Sequence, residues 1–455
     1  MLISLFLSCS GGNHNGDDSS ETSSHPGHSS ESSGENNYNY NDKVYAASVT
    51  YIDMENKITT PRANWEAHFD ELNSLGIDRV ICSCAALTPY AVYSRAYYPT
   101  GAETKENKKS SFTEYINALE NLLAAAETKG IKVFVGLNYA EEWVTVRASN
   151  TDWNAAQAER AAEIAATLYS LYAEKYPNAF YGWYFPWRMN NSYIVHKTRE
   201  SADLLKKYKD IFRLTDPSMP VLFTTVLGND FTAAKTAEAF AEMLSMAGLG
   251  ENDIYCCVDG IGTGQMRMDS LDYYYRLIIA EAKKASLNVW AGCETTVYGE
   301  PSQTALLSRF IAQLEKAGNH SETIAALSYS DAYSANFGAS PSVRGVYLSY
   351  VQSGEMEKEI PPDAPQITCA KISGRNALSV KVSVFQQTYA VGTLRLYING
   401  VQVAEYKNTS RPNPKTVYEE SFYLNLSDYP GEIIIKATAE DIAGNVSEIG
   451  VFKYR

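Results

Sequence analysis

An eightfold alternation of short apolar runs with longer stretches of helical period constrains this chain most. The apolar runs are Val44–Ile52, Ile77–Cys82, Ile131–Leu137, Ala179–Phe185, Pro220–Thr225, Ile254–Val258, Leu287–Gly292 and Ile324–Tyr329. The stretches of helical period are Trp65–Leu75, Phe112–Thr128, Trp153–Lys175, Thr198–Leu214, Thr232–Ala247, Ser270–Ala285, Thr304–Lys316 and Val343–Val351. Runs such as Val133-Phe134-Val135-Gly136-Leu137 lack the two-residue alternation of a half-exposed strand. They read as parallel strands buried on both faces beneath a layer of helices. Eight such repeats predict an α/β fold, a closed (β/α)8 TIM barrel, over an open doubly wound sheet. No glycine-rich phosphate loop follows the first run, which argues against a nucleotide-binding sheet.

The barrel spans 43–357 and ends at a proline-rich linker, 358–366, containing Ile360-Pro361-Pro362-Asp363-Ala364-Pro365. Beyond it, 367–455, the runs Leu378–Phe385, Thr393–Ile398, Val417–Leu424 and Glu432–Ala439 alternate and are separated by turn signals such as Asn399-Gly400. This predicts a small all-β, immunoglobulin-like or fibronectin-like sandwich. Asp441-Ile442-Ala443-Gly444-Asn445 resembles the ending of bacterial Ig-like modules. No chemistry is assigned to this module.

Residues 1–9 end in Phe6-Leu7-Ser8-Cys9, which resembles a lipoprotein signal peptide with Cys9 as the lipidated residue. No Lys or Arg precedes that apolar stretch, and it is too short to span a bilayer. Residues 10–42 are nearly all Ser, Gly, Asn, Asp, Glu and His, a composition that reads as a flexible tether. The expected location is the cell envelope, anchored to the outer membrane through Cys9 and facing the periplasm or the cell surface. A formal net charge of -14 argues against nucleic acid as a partner. Cys82, Cys84, Cys256, Cys257, Cys293 and Cys369 follow no disulfide or zinc spacing and read as small core residues. No metal and no cofactor is expected.

In a TIM barrel the reactive groups project from the C-terminal strand ends. Those ends carry Asn138 and Glu142-Trp143 after the third run, and Trp187, Arg188 and Asn190 after the fourth. Asp259 follows the sixth run, Glu294 the seventh, and Asp331 lies just beyond the eighth, which ends in Tyr329. Glu294 closes an otherwise apolar run, so its carboxylate is expected in the barrel mouth, either as a reactive group or in a structural ion pair. Asp259 is expected to brace a tight Asp-Gly-Ile-Gly turn or to contact a sugar hydroxyl. Trp143, Trp187 and Tyr329 are candidates for lining sugar subsites, and Trp183 is expected in the core.

The stretches Val133–Leu137 with Trp143, Gly182-Trp183-Tyr184-Phe185-Pro186, Asp259-Gly260-Ile261-Gly262 and Trp290-Ala291-Gly292-Cys293-Glu294 resemble the barrel family known as domain of unknown function 4434. The resemblance implies a glycoside-hydrolase-like barrel in envelope lipoproteins of Bacteroidota, usually with an Ig-like companion. It implies a glycan or polysaccharide partner and a candidate glycoside hydrolase acting on an O-glycosyl bond. In many retaining glycosidases on this barrel the nucleophile ends strand seven and the acid/base ends strand four, with the carboxyls roughly 5 Å apart. Glu294 fits the first place. Arg188 stands where the family carries a Glu, and Asn190 and Asn191 stand where acids are expected. An arginine cannot serve as a general acid. Glu142 or Asp331 could then supply the proton; the substrate could carry a good leaving group or an acidic sugar clamped by Arg188; or the barrel could bind glycan without cleaving it, as a pseudoenzyme or envelope scaffold.

Overall fold

A computed structural model describes residues 43–89, 94–100, 112–146, 149–297, 303–339, 341–356, 361–387, 389–407 and 417–455. The expectations for Cys9 and the tether, and the first part of the linker, lie outside the described residues.

Eight parallel strands form a closed ring: β1 Val49–Ile52, β2 Arg79–Cys82, β3 Lys132–Gly136, β4 Phe180–Asn190, β5 Val221–Val226, β6 Ile254–Val258, β7 Asn288–Glu294 and β8 Thr323–Leu327. Each pairs with its neighbours in sequence, and β1 closes on β8 through Val49↔Ala325. The interior is filled by side chains of one parity on each strand, among them Tyr51, Phe134, Tyr184 and Trp290. The other parity packs outward on the helices, as where Trp183 stacks on Phe212 at 5.5 Å. Burial on both faces is why these runs carry no alternation. Cys82, Cys84, Cys256, Cys257 and Cys293 are buried thiols.

Three strand limits differ from the sequence reading in ways that affect the site. β4 does not stop at Phe185 but continues to Asn190. Pro186 offers no N–H to the ladder, so pairing with β5 shifts between Phe185 and Met189 and then resumes at Met189↔Thr225. β7 runs to Glu294, which pairs with Leu327. The segment expected to be helical from Phe112 begins as a strand, Phe112–Glu114, and its helix is Ala118–Lys129. That strand joins Ser94–Ala96, Ala86–Thr88 and Asn138–Ala140 in a four-stranded side sheet, which the sequence reading did not anticipate.

The C-terminal module is a sandwich of two antiparallel sheets. One holds β9 Gln366–Lys371, β10 Ala377–Phe385 and β13 Val417–Asn425. The other holds β11 Val391–Ile398, β12 Val401–Lys407, β14 Ile433–Asp441 and β15 Gly450–Tyr454. Asn399 and Gly400 both take positive φ, the conformation that a tight two-residue hairpin between β11 and β12 requires. Asp441 closes the Asp-Ile-Ala-Gly-Asn loop by accepting from the N–H groups of Ala443 and Asn445, each at 2.9 Å. That loop packs on the barrel: Ile442 O accepts from Leu307 N at 3.1 Å, and Tyr389, Ile442 and Ala443 join the apolar core of the barrel helices.

Candidate functional site

The mouth is built at the ends of β4, β6 and β7, with Tyr51 of β1 meeting Arg188 of β4 across the ring. Trp290 lies in the barrel interior, and Glu294, four residues on along the same strand, keeps its parity. Glu294 is 8% exposed. Its Oε2 accepts from Thr263 N at 2.7 Å. Its main-chain N–H donates to Asp259 Oδ1 at 3.3 Å, and its carbonyl accepts from Gln313 Nε2 at 3.1 Å and Arg309 Nη2 at 2.9 Å. Arg309 and Gln313 are four apart on the helix Leu307–Gly318, so both reach the same strand end.

Asp259 is fully buried and accepts from Ile261 N at 3.1 Å and from the Gln313 side-chain amide. It is the brace of the turn, as one of the two readings of Asp-Gly-Ile-Gly had it. Gly262 explains the second glycine. A Cβ there would lie 2.3 Å from Thr296 O and 2.7 Å from Glu294 Cβ, so only glycine lets the loop lie against Glu294. Burial, and then the charge of Glu294, hold the Asp259 carboxyl above the ordinary carboxylate range. Burial also raises Glu294, opposed by the Thr263 N–H and by Arg309 and Arg188.

Arg188 rises from the far end of β4. Its guanidinium lies 4.4 Å from the Tyr51 ring centroid, and Nε donates to Tyr184 OH at 3.2 Å. Tyr184 OH in turn meets Thr224 Oγ1 at 3.2 Å. Nη2 is shielded from solvent and has no hydrogen-bond partner among the described residues.

The sequence match falls on this same barrel. Residues 48–349 fit the model of a protein family described as Domain of unknown function (DUF4434). The chain belongs to the DUF4434 family. This DUF4434 barrel carries its Ig-like module at the C-terminus. No curated protein matches the chain. Among solved structures, a candidate alpha-L-fucosidase from Bacteroides thetaiotaomicron VPI-5482 is similar at TM-score 0.54 and 17% identity, covering 69% of this chain and 95% of the other. The endo-1,4-beta-mannanase of Rhizomucor miehei aligns at TM-score 0.42 and 13% identity, over 63% of this chain and 86% of its own. The first likeness speaks to the fold; the second is too distant to carry an argument.

Several residues expected in the mouth of the DUF4434 barrel lie elsewhere. Trp143 and Trp187 are buried with ring centroids 5.4 Å apart, and Trp143 Nε1 donates to Arg188 O at 3.0 Å. Their faces are taken by other aromatic rings, so they support the backbone of Arg188 and offer no sugar-stacking surface. Asn138 is buried in the side sheet, where its amide donates to Gln157 Oε1 at 2.8 Å. Tyr329 is buried and donates to Glu71 Oε1 at 2.7 Å. Asn190 caps the helix Asn191–His196 by accepting from Tyr193 N at 2.8 Å. Glu142 is exposed and accepts from Trp153 Nε1 at 2.9 Å; Asp331 is ion-paired with Lys57.

Sequence reading missed Asp53 at the end of β1. It is buried, keeps the inward parity of Val49 and Tyr51, and accepts from Glu55 N at 3.2 Å. Burial and the neighbouring Asp331 raise its pKa. Continuing the parity of the first strand by one step would have found it. Sequence reading also missed a buried network in which His68 meets Ser330 Oγ at 2.9 Å and Ser334 Oγ at 3.0 Å, with Ser334 Oγ donating to Glu71 at 2.9 Å. Ser330 is fully buried, so this serine–histidine pair holds the wall together and is closed to substrate.

Proposed function

We propose that the barrel mouth engages a glycan and that Glu294 is its working carboxylate, acting as nucleophile on an O-glycosyl bond. One observation carries this reading. Glu294 is an inward, nearly buried carboxylate at the end of β7, held through its backbone by two other elements, with the Arg188 guanidinium as a facing charge. Such fixation suits a group that must meet a sugar carbon in one geometry. The positive charge of Arg188 favours the ionised, nucleophilic form. The proton for the leaving oxygen must come from elsewhere. Of the carboxyls to weigh, Glu142 is exposed and bonded to Trp153 and Asp331 is ion-paired with Lys57, whereas Asp53 has the raised affinity for a proton that a general acid needs.

A second reading is favoured by Arg188 itself. With a guanidinium at the usual place of the acid, the mouth would bind glycan without cleaving it. The test incubates the purified chain with aryl glycosides and polysaccharides and separates products by chromatography, beside glycan binding. Turnover in the parent chain, lowered at least about 10²-fold in Glu294→Gln and raised in Arg188→Glu, supports hydrolysis. Turnover that neither substitution changes removes Glu294 from catalysis. Binding without product, weakened by Glu294→Gln, supports the second reading.

The proposed location is the outer membrane, through a lipid on Cys9, in a bacterium of the Bacteroidota. It is supported by the apolar start and the polar run after Cys9. Radiolabelled palmitate incorporated by the parent chain and absent from Cys9→Ala would bear it out; equal labelling would refute it.

A further inference from the structure

Arg188 faces the Glu294 carboxylate but is hydrogen-bonded to no carboxylate among the described residues. Among those residues it makes no ion pair, whereas Lys57 pairs with Asp331 and Arg95 with Glu55. Arg309, which also pairs with no carboxylate among the described residues and leaves Nε without a partner, donates from Nη2 to the carbonyls of Glu294 and Thr296. Among the described residues the one hydrogen bond of the Arg188 guanidinium goes from Nε to Tyr184, and Nη2 has none. Arg188 is half-buried, and a shielded guanidinium N–H without a partner is costly, a cost recovered when an anion completes it. The planar fork accommodates the two oxygens of a carboxylate or sulfate, where a neutral sugar hydroxyl would satisfy one donor.

We infer that the mouth takes an anionic glycan, whose carboxylate or sulfate group seats on Arg188. This rests on the mouth being the glycan site. The Tyr51 ring beneath the guanidinium and the Tyr184 hydroxyl on its Nε fix the plane of the fork. The Trp143 indole holds the backbone of the same residue, so the fork is supported from three sides. A formal charge of -14 disfavours non-specific attraction of acidic chains, so measured binding would report a built site.

The experiment is isothermal titration of the full chain with three sets of probes. Galacturonate and glucuronate oligosaccharides are compared with their carboxyl-reduced forms, sulfated oligosaccharides with their desulfated forms, and neutral oligosaccharides complete the panel. The inference expects at least about a tenfold loss of affinity on removing the anion, and the same loss for the acidic probe in Arg188→Gln. Whether carboxyl reduction or desulfation causes the loss identifies which anion is read. If Arg188→Gln fails to fold, the paired probes on the unaltered chain still decide. Equal affinity for charged and uncharged partners overturns the inference and leaves the glycan mouth standing. No binding by any oligosaccharide, charged or neutral, removes both.

Discussion

The backbone N–H of Glu294 donates to the carboxylate of Asp259, 3.3 Å away, so the end of one barrel strand is fixed by the first residue beyond the next. The two carboxyls therefore do different work. Asp259 spends its oxygens on Ile261, Glu294 and Gln313, while Glu294 is held chiefly by its main chain and keeps its carboxylate at the mouth.

Replacing Asp259 by Ala should leave the N–H groups of Ile261 and Glu294 without an acceptor, while Gln313 keeps its bond to the Glu294 carbonyl. Unsatisfied buried groups cost about 1–3 kcal/mol each, and relaxation lowers the sum, so a loss of about 3 kcal/mol is expected. Asp259→Asn keeps an acceptor oxygen and should lose less. Urea unfolding of both variants measures the difference, and equal losses would argue that charge alone matters at this position.

Gly262→Ala should spoil the mouth more than the fold. The added methyl meets Thr296 O and Glu294 Cβ, which displaces the loop that donates the Thr263 N–H. Affinity for a bound glycan should fall by about tenfold or more, while the melting temperature moves by only a few degrees. A large loss of stability with unchanged affinity would contradict this.

The pH dependence has a definite sign. Asp259 and Glu294 are raised above the ordinary carboxylate range in the folded chain. Above pH of about 4 the unfolded chain has released protons that the folded pair still holds. Stability from this pair is therefore greatest at low pH and falls as pH rises through the folded pKa values. Glu294→Gln removes one member and its repulsion, and should flatten the decline in melting temperature between pH 5 and pH 7.5. An unchanged slope would show that the pair does not titrate as described.

His68 acts in the opposite direction. Burial, helped by nearby Lys57, lowers its pKa to about 3. The unfolded chain takes up a proton near pH 6.5 that the folded chain refuses, so stability falls as pH drops from about 6.5 toward 3. In an imidazole NMR titration the His68 resonance should stay at its neutral position down to about pH 4, and movement near pH 6 would disprove the burial.

The barrel was legible because its strands are apolar on both sides and its helices periodic, signals that survive without partners. Glu294 was legible for the same reason, as one charge closing an apolar run. The aromatic residues were not. Trp143, Trp187 and Tyr329 sit at strand ends in sequence, yet whether such a ring faces sugar or other rings depends on segments far away, Trp153 and Glu71 among them. The fourth apolar run stops at Phe185, but pairing with β5 resumes at Met189, beyond Pro186, and draws Arg188 into the wall. Arg309 and Gln313 gave no sign, since nothing in their own helix tells which strand end it reaches.

The Asp-Ile-Ala-Gly-Asn loop of the sandwich bonds to Leu307, two residues before Arg309. The C-terminal module is thus a buttress to the wall on which Glu294 stands. Cutting the chain at its proline-rich segment would bare Leu306, whose side chain packs against Gly392, and free the start of that helix. An isolated barrel should then keep its shape while its mouth loosens on one side.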